Sequence, residues 1–212
     1  MKRFERLTVI ALAITFLGAV PAFGAVVIDF GTGTAGVGGL YTLLAGGQAT
    51  GANIPVGSVT VSGAPLNNGV FDTSGTCVST DANGSACLNF NTVANTITIV
   101  GDISALGIPS GTTLLTGSFA SFLADGNGIQ MATGPDTKSA LLLTALGLPT
   151  NTAFNFFGFS IVTNPVIVGG SSSVISTDIR NTGVPEPSAI VLFGTMLLGC
   201  CSLLRRRKPS MQ

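Results

Sequence analysis

The middle of this chain alternates. In Ser58-Val59-Thr60-Val61-Ser62, and again in Asn95-Thr96-Ile97-Thr98-Ile99, aliphatic side chains take every second position and polar ones fill the gaps. A period of two places one set on each face of a pleated strand. Further strands are expected over 26–30, 113–123, 153–163 and 172–181. Asn67-Asn68-Gly69, Asn83-Gly84 and Asp125-Gly126-Asn127-Gly128 separate them as turns, because Asn, Asp and Gly tolerate positive φ. In the stretch "FNFFGFSI", Phe154 and Phe156 fall on one face while Phe157, Phe159 and Ile161 fall on the other. A bulge near Phe157-Gly158 would bring both sets inward; otherwise that strand is buried on both faces. One segment reads as helix. Asp136-Thr137-Lys138-Ser139 leads into "ALLLTALGLP", a helix of about ten residues stopped by Gly147 and Pro149.

Many short strands with frequent glycine predict a mainly β fold, a β-sandwich or jelly-roll-like ectodomain over 25–183. The expected count is roughly eight to ten strands plus the short helix. No repeat of 20–50 residues suggests a propeller or solenoid.

Charge narrows the function. Charged residues are 8% of the chain, against about 25% in an average soluble protein. Lys2, Arg3 and Arg6 stand at the start, and Arg205, Arg206, Arg207 and Lys208 at the end. Between them Lys138 and Arg180 face seven aspartates, Asp29, Asp72, Asp81, Asp102, Asp125, Asp136 and Asp178, a net charge of −5. Two cations cannot neutralise a row of phosphates, so nucleic acid is not an expected partner.

The residues also argue against an enzyme. The chain has no histidine, which removes Ser-His and Cys-His nucleophiles. Lys138 and Ser139 are neighbours in sequence, and neighbours on a helix do not face each other. A glycosidase pair would need two carboxylates about 5–10 Å apart, and most of these aspartates sit in turns. Gly31, Gly33 and Gly36 spell G-x-G-x-x-G after a strand, but no helix pattern follows to receive a pyrophosphate. No catalytic residue and no cofactor are expected. Asp81 with Asn83, and Asp125 with Asn127, space oxygens as calcium loops do, without the distal Glu of an EF-hand. They are weak candidates, and turn chemistry explains them better. A carbohydrate- or calcium-binding module is the alternative to a purely non-catalytic surface role. The domain lacks Trp and has only Tyr41, so its phenylalanines would have to supply a sugar platform, and they read as core.

Both ends carry addresses. Residues 1–6 are basic, 7–20 form an apolar core, and Ala22-Phe23-Gly24 offers the small residues a signal peptidase reads. Cleavage is expected after Gly24, leaving Ala25 at the mature N-terminus. Export implies an oxidising compartment, where Cys77 and Cys87 read as a disulfide across a polar loop. At the other end, Val184-Pro185-Glu186-Pro187-Ser188 precedes an uncharged apolar run over 188–204, about 26 Å long as helix. That is marginal for a ~30 Å hydrocarbon core. The cluster Arg205, Arg206, Arg207 and Lys208 would stop transfer and stay cytoplasmic. The prolines hold the preceding segment extended, the form a processing enzyme accepts. Cys200 and Cys201 lie near the cytoplasmic end of the run; acylation is open to them, and filling space in the span explains them better.

A Pro-Glu-Pro motif, an apolar span and a basic tail, in that order over 184–208, resemble the PEP-CTERM sorting signal. The resemblance implies substrate status, with Pro185, Glu186 and Pro187 as the sorting motif. The implied partners are signal peptidase, an exosortase-type processing enzyme, the membrane and exopolysaccharide. The implied route is export in a Gram-negative bacterium, an inner-membrane intermediate, then the cell surface or extracellular matrix.

Overall fold

The computed structural model describes residues 25–33, 38–75, 77, 84–124 and 128–184, together with Thr195. Ala25–Val184 forms a compact unit. Residues 1–24, where a signal peptide is expected, the Pro-Glu-Pro motif, the apolar run apart from Thr195, and the basic tail lie outside the described residues. Among the described residues no helix is long and apolar enough to cross a membrane.

The unit is mainly β, with strands joined in one antiparallel sheet and a short helix, an arrangement consistent with a β-sandwich. The first strands are β1 (Val27–Gly31), β2 (Gly38–Leu43), β3 (Ala49–Val56), β4 (Ser58–Ser62) and β5 (Gly69–Asp72). Then come β6 (Ala86–Asn91), β7 (Thr96–Ile103), β8 (Ile108–Gly117), β9 (Ser121–Ala124) and β10 (Ile129–Gly134). β11 (Asp136–Lys138), helix α1 (Ala140–Ala145), β12 (Phe157–Thr163) and β13 (Ser171–Thr182) complete the order. The hydrogen-bonded path runs β11-β8-β7-β6-β3-β2-β13-β1-β4-β5, and β12, β10 and β9 branch from β13.

β13 holds the sheet together because it is long. Its start, Ser171 to Val174, pairs with β2, and its end, Asp178 to Thr182, pairs with β1. Its opposite edge pairs with β12. One wing therefore runs from β2 to β11, and the other holds β5, β4, β1, β12, β10 and β9. The wings meet through aromatic rings. Phe90 on β6 packs edge-on to Phe159 on β12 with centroids 5.5 Å apart, and its ring lies 6.0 Å from both Phe119 and Phe122. Four steps of strand pairing separate β6 from β12, so this contact crosses between layers.

The period-two pattern sets which side chains go inside. Val59 and Val61 are buried while Ser58, Thr60 and Ser62 face outward, and Ile97, Ile99 and Ile103 are fully buried along β7.

Several expectations are corrected. Thirteen strands form among the described residues, more than eight to ten, because β5, β9 and β11 are only three or four residues long, too short to show a period. The expected strand over 113–123 divides. Ser118 and Ala120 donate to the carbonyls of Pro135 and Thr133, and Phe119 donates to Asn95 Oδ1, carrying the chain from β8 in one wing to β9 in the other. The stretch 154–161 needs neither a bulge at Phe157-Gly158 nor burial on both faces. The strand begins at Phe157, which is buried with Phe159 and Ile161, and Phe156 is left outside.

The helix is shorter than expected, six residues. Asp136 to Lys138 pair with β8 as strand instead of leading into it. Ser139 caps α1 by accepting from the Leu141 amide, and the chain leaves the helix at Gly147, at φ +73°.

Candidate functional site

The residues predicted from sequence divide by placement. Gly24, Asp81, Asn83, Asp125, Asn127, Pro185, Glu186, Pro187 and Arg205 to Lys208 lie outside the described residues. Ala25 is exposed at the start of the compact unit. Cys77 and Cys87 are brought together. Both are buried, and the Cys77 thiol is pushed well above its ordinary range by burial and then by its hydrogen bond with Cys87. The pair lies where β6 runs alongside Pro55 and Val100. Gly31 closes β1 and Gly33 turns the chain at φ +52°, where a Cβ would meet Ser58 Oγ at 2.6 Å; the chain continues as strand from Gly38. Gly33 thereby serves a tight passage beside β4. Among the described residues no group of three or more acidic or thiol side chains is placed to hold a metal ion.

Two charged groups were not singled out as partners from the sequence. The first lies on the outer face of β1 and β13. Asp29 stands opposite Arg180 and hydrogen-bonds Asp178, two residues before that arginine on the same face. The Asp29 carboxyl is pushed up to about 7, first by burial, then by the hydrogen bond and charge of Asp178, with Arg180 pulling the other way. The two carboxyls touch each other, closer than the ~5 Å a retaining glycosidase needs to flank its bond.

The second group is buried. β11 ends at Lys138, whose side chain turns into the protein. Its ammonium contacts Asp136 Oδ2 and donates to Asn181 Oδ1 at 2.6 Å. Asn181 Nδ2 donates in turn to Asp136 Oδ1 at 2.8 Å and to the Asn155 carbonyl at 3.1 Å. The Phe154 ring covers the amine with its centroid 5.0 Å away. The side chains of Lys138 and Asp136 are both fully buried. Removing both from water disfavours both charges. Burial lowers Lys138 to about 8, against the pull of Asp136, and raises Asp136 against the pull of Lys138 and Asn181. An amine, a carboxamide and a carboxyl in mutual contact are a nucleophile, an acyl centre and a proton carrier. The sequence signal was visible only as an oddity: Lys138 is one of two cations in 25–183.

No family model, no curated protein and no solved structure matches the chain.

Proposed function

We propose that this protein is an exported, non-catalytic component of the cell surface or of an exopolysaccharide matrix, delivered through a C-terminal sorting signal. The observation that carries this is the order of Pro185-Glu186-Pro187, the uncharged run over 188–204 and the basic cluster 205–208. In this reading 188–204 is the transmembrane helix of an inner-membrane intermediate, a jelly-roll-like sandwich stands outside, and an exosortase-type enzyme acts near the Pro-Glu-Pro segment. A compact unit bounded by Ala25 and Val184 supports it, because processing at either end would then leave the folded part whole. A span of marginal length suits a segment that holds the chain only until cleavage.

Mass spectrometry of both termini of protein recovered from cells tests the reading. Mature molecules should begin at Ala25 and lack the basic tail. Replacing Pro185, Glu186 and Pro187 together by alanine should make full-length precursor accumulate in the membrane. Normal processing and localisation of that variant would leave a plain tail anchor as the better account.

A further inference from the structure

We propose that Lys138 and Asn181 join spontaneously into an intramolecular amide, with Asp136 moving the protons, so that β11 and β13 become covalently linked. A carbonyl bond is about 1.23 Å long. With Nζ 2.6 Å from Asn181 Oδ1, the carboxamide carbon must lie within about 4 Å of the amine. That approaches the separation at which reacting atoms held by a rigid frame behave as a near-attack pair. The frame is rigid here: Lys138 is fixed by pairing with Leu115, and Asn181 by pairing with Ile28.

One Asp136 oxygen contacts the attacking nitrogen, and the other accepts from the nitrogen that would leave. The carboxyl thus spans nucleophile and leaving group. The neutral amine attacks Asn181 Cγ, the Nζ–Cγ bond forms, and the carbonyl electron pair moves onto Oδ1. Asp136 takes a proton from Nζ and gives one to Nδ2. The Cγ–Nδ2 bond then breaks as the carbonyl re-forms, and ammonia departs. The products are a secondary amide and one ammonia, with nothing oxidised or reduced. Burial favours the reactive form, since it draws the amine toward neutrality and the carboxyl toward its acid. Phe154 shields the amine from water, which removes competing solvation of the nucleophile.

A buried ion pair adds little net stability compared with apolar residues of the same volume. Here one of the two cations in 25–183 is placed inside, beside an asparagine 43 residues away in sequence. The bond would tie the short edge strand β11 to β13, the strand shared by both wings. It would sit just before the exported domain gives way to its C-terminal segment. A surface protein pulled through that end would then load a covalent link rather than a three-residue edge strand.

The test uses the full protein expressed with its signals and recovered from cells, reduced, alkylated and digested. Tryptic mapping should yield one branched peptide carrying both Lys138 and Asn181, lighter than the sum of its linear parts by one ammonia, with no cleavage after Lys138. Asp136→Asn should give separate linear peptides although both bonding residues remain. Lys138→Arg should do the same, and both variants should melt at lower temperature than the parent. Linear peptides with unmodified Lys138 and Asn181 from folded parent protein would overturn the proposal, whatever the variants do. A branched peptide formed equally in Asp136→Asn would overturn the role given to Asp136.

Discussion

Gly51 and Phe90 stand directly opposite each other on β3 and β6, and the ring occupies the space a side chain at Gly51 would need. A Cβ at Gly51 would meet Phe90 ring carbons at 2.1 and 2.4 Å, and Ile54 Cδ1 at 2.7 Å. The Gly51 backbone is not left-handed, so the obstruction is steric alone. Gly51→Ala should therefore cost about 1–3 kcal/mol, the usual range for overpacking a core. Phe90→Ala removes the ring that touches Tyr41, Phe119, Phe122 and Phe159, and should cost about 3–5 kcal/mol. The two effects should not add. With the ring gone, the new methyl enters space already vacated, and the Ile54 methyl can turn aside. Gly51→Ala should then cost under about 0.5 kcal/mol in the Phe90→Ala background, a coupling of roughly 1–3 kcal/mol. Urea unfolding of the isolated Ala25–Val184 unit, followed by far-UV circular dichroism, measures it. With a slope of about 2 kcal/mol per molar urea, Phe90→Ala alone should move the midpoint down by roughly 2 M. If the double variant equals the sum of the singles to within about 0.5 kcal/mol, the ring does not fill that space and the inter-layer packing is misassigned.

Other outcomes follow from the same structure. Cys77 and Cys87 should be recovered as one linked peptide by non-reducing mapping of protein recovered from cells, and Cys87→Ser should lower stability by roughly 2–3 kcal/mol through a loop of about 11 residues; two freely alkylated thiols in native protein would sink this. Asp29 binds its proton more tightly folded, at about 7, than its ordinary value of 3.8. Its contribution is therefore complete below that ordinary value and lost as pH rises through about 7. Asp29→Asn should flatten the fall in melting temperature between those limits. Solvent screening at this half-exposed site holds the effect to about 1 kcal/mol, and an unchanged slope would refute it.

Much of the fold was legible because period two is a local property. Ser58 to Ser62 reads as a strand from five residues, and the structure gives it the same bounds. The stop at Gly147 is local too, since only backbone freedom was being read there. Local patterns carry no information about which layer a strand joins, which is why 113–123 read as one strand. The break at Ser118 to Ala120 is made by partners at Asn95, Thr133 and Pro135. The short strand at Asp136 to Lys138 was read as a helix lead for the same reason, its polar residues resembling a cap until β8 paired with them.

What the sequence determined alone is the β class, the acidic and histidine-free chemistry, and the order of the terminal segments. Each depends on residue type and spacing within a short window. Only the tertiary structure decided that Lys138 is buried against Asn181 and that Asp29 shares a hydrogen bond with Asp178. Burial and contact are properties of two segments at once. Asp136 and Lys138 are two residues apart, but Asn181 lies on the far side of α1 and β12 in sequence. No window that reads the first pair contains the partner that changes their chemistry.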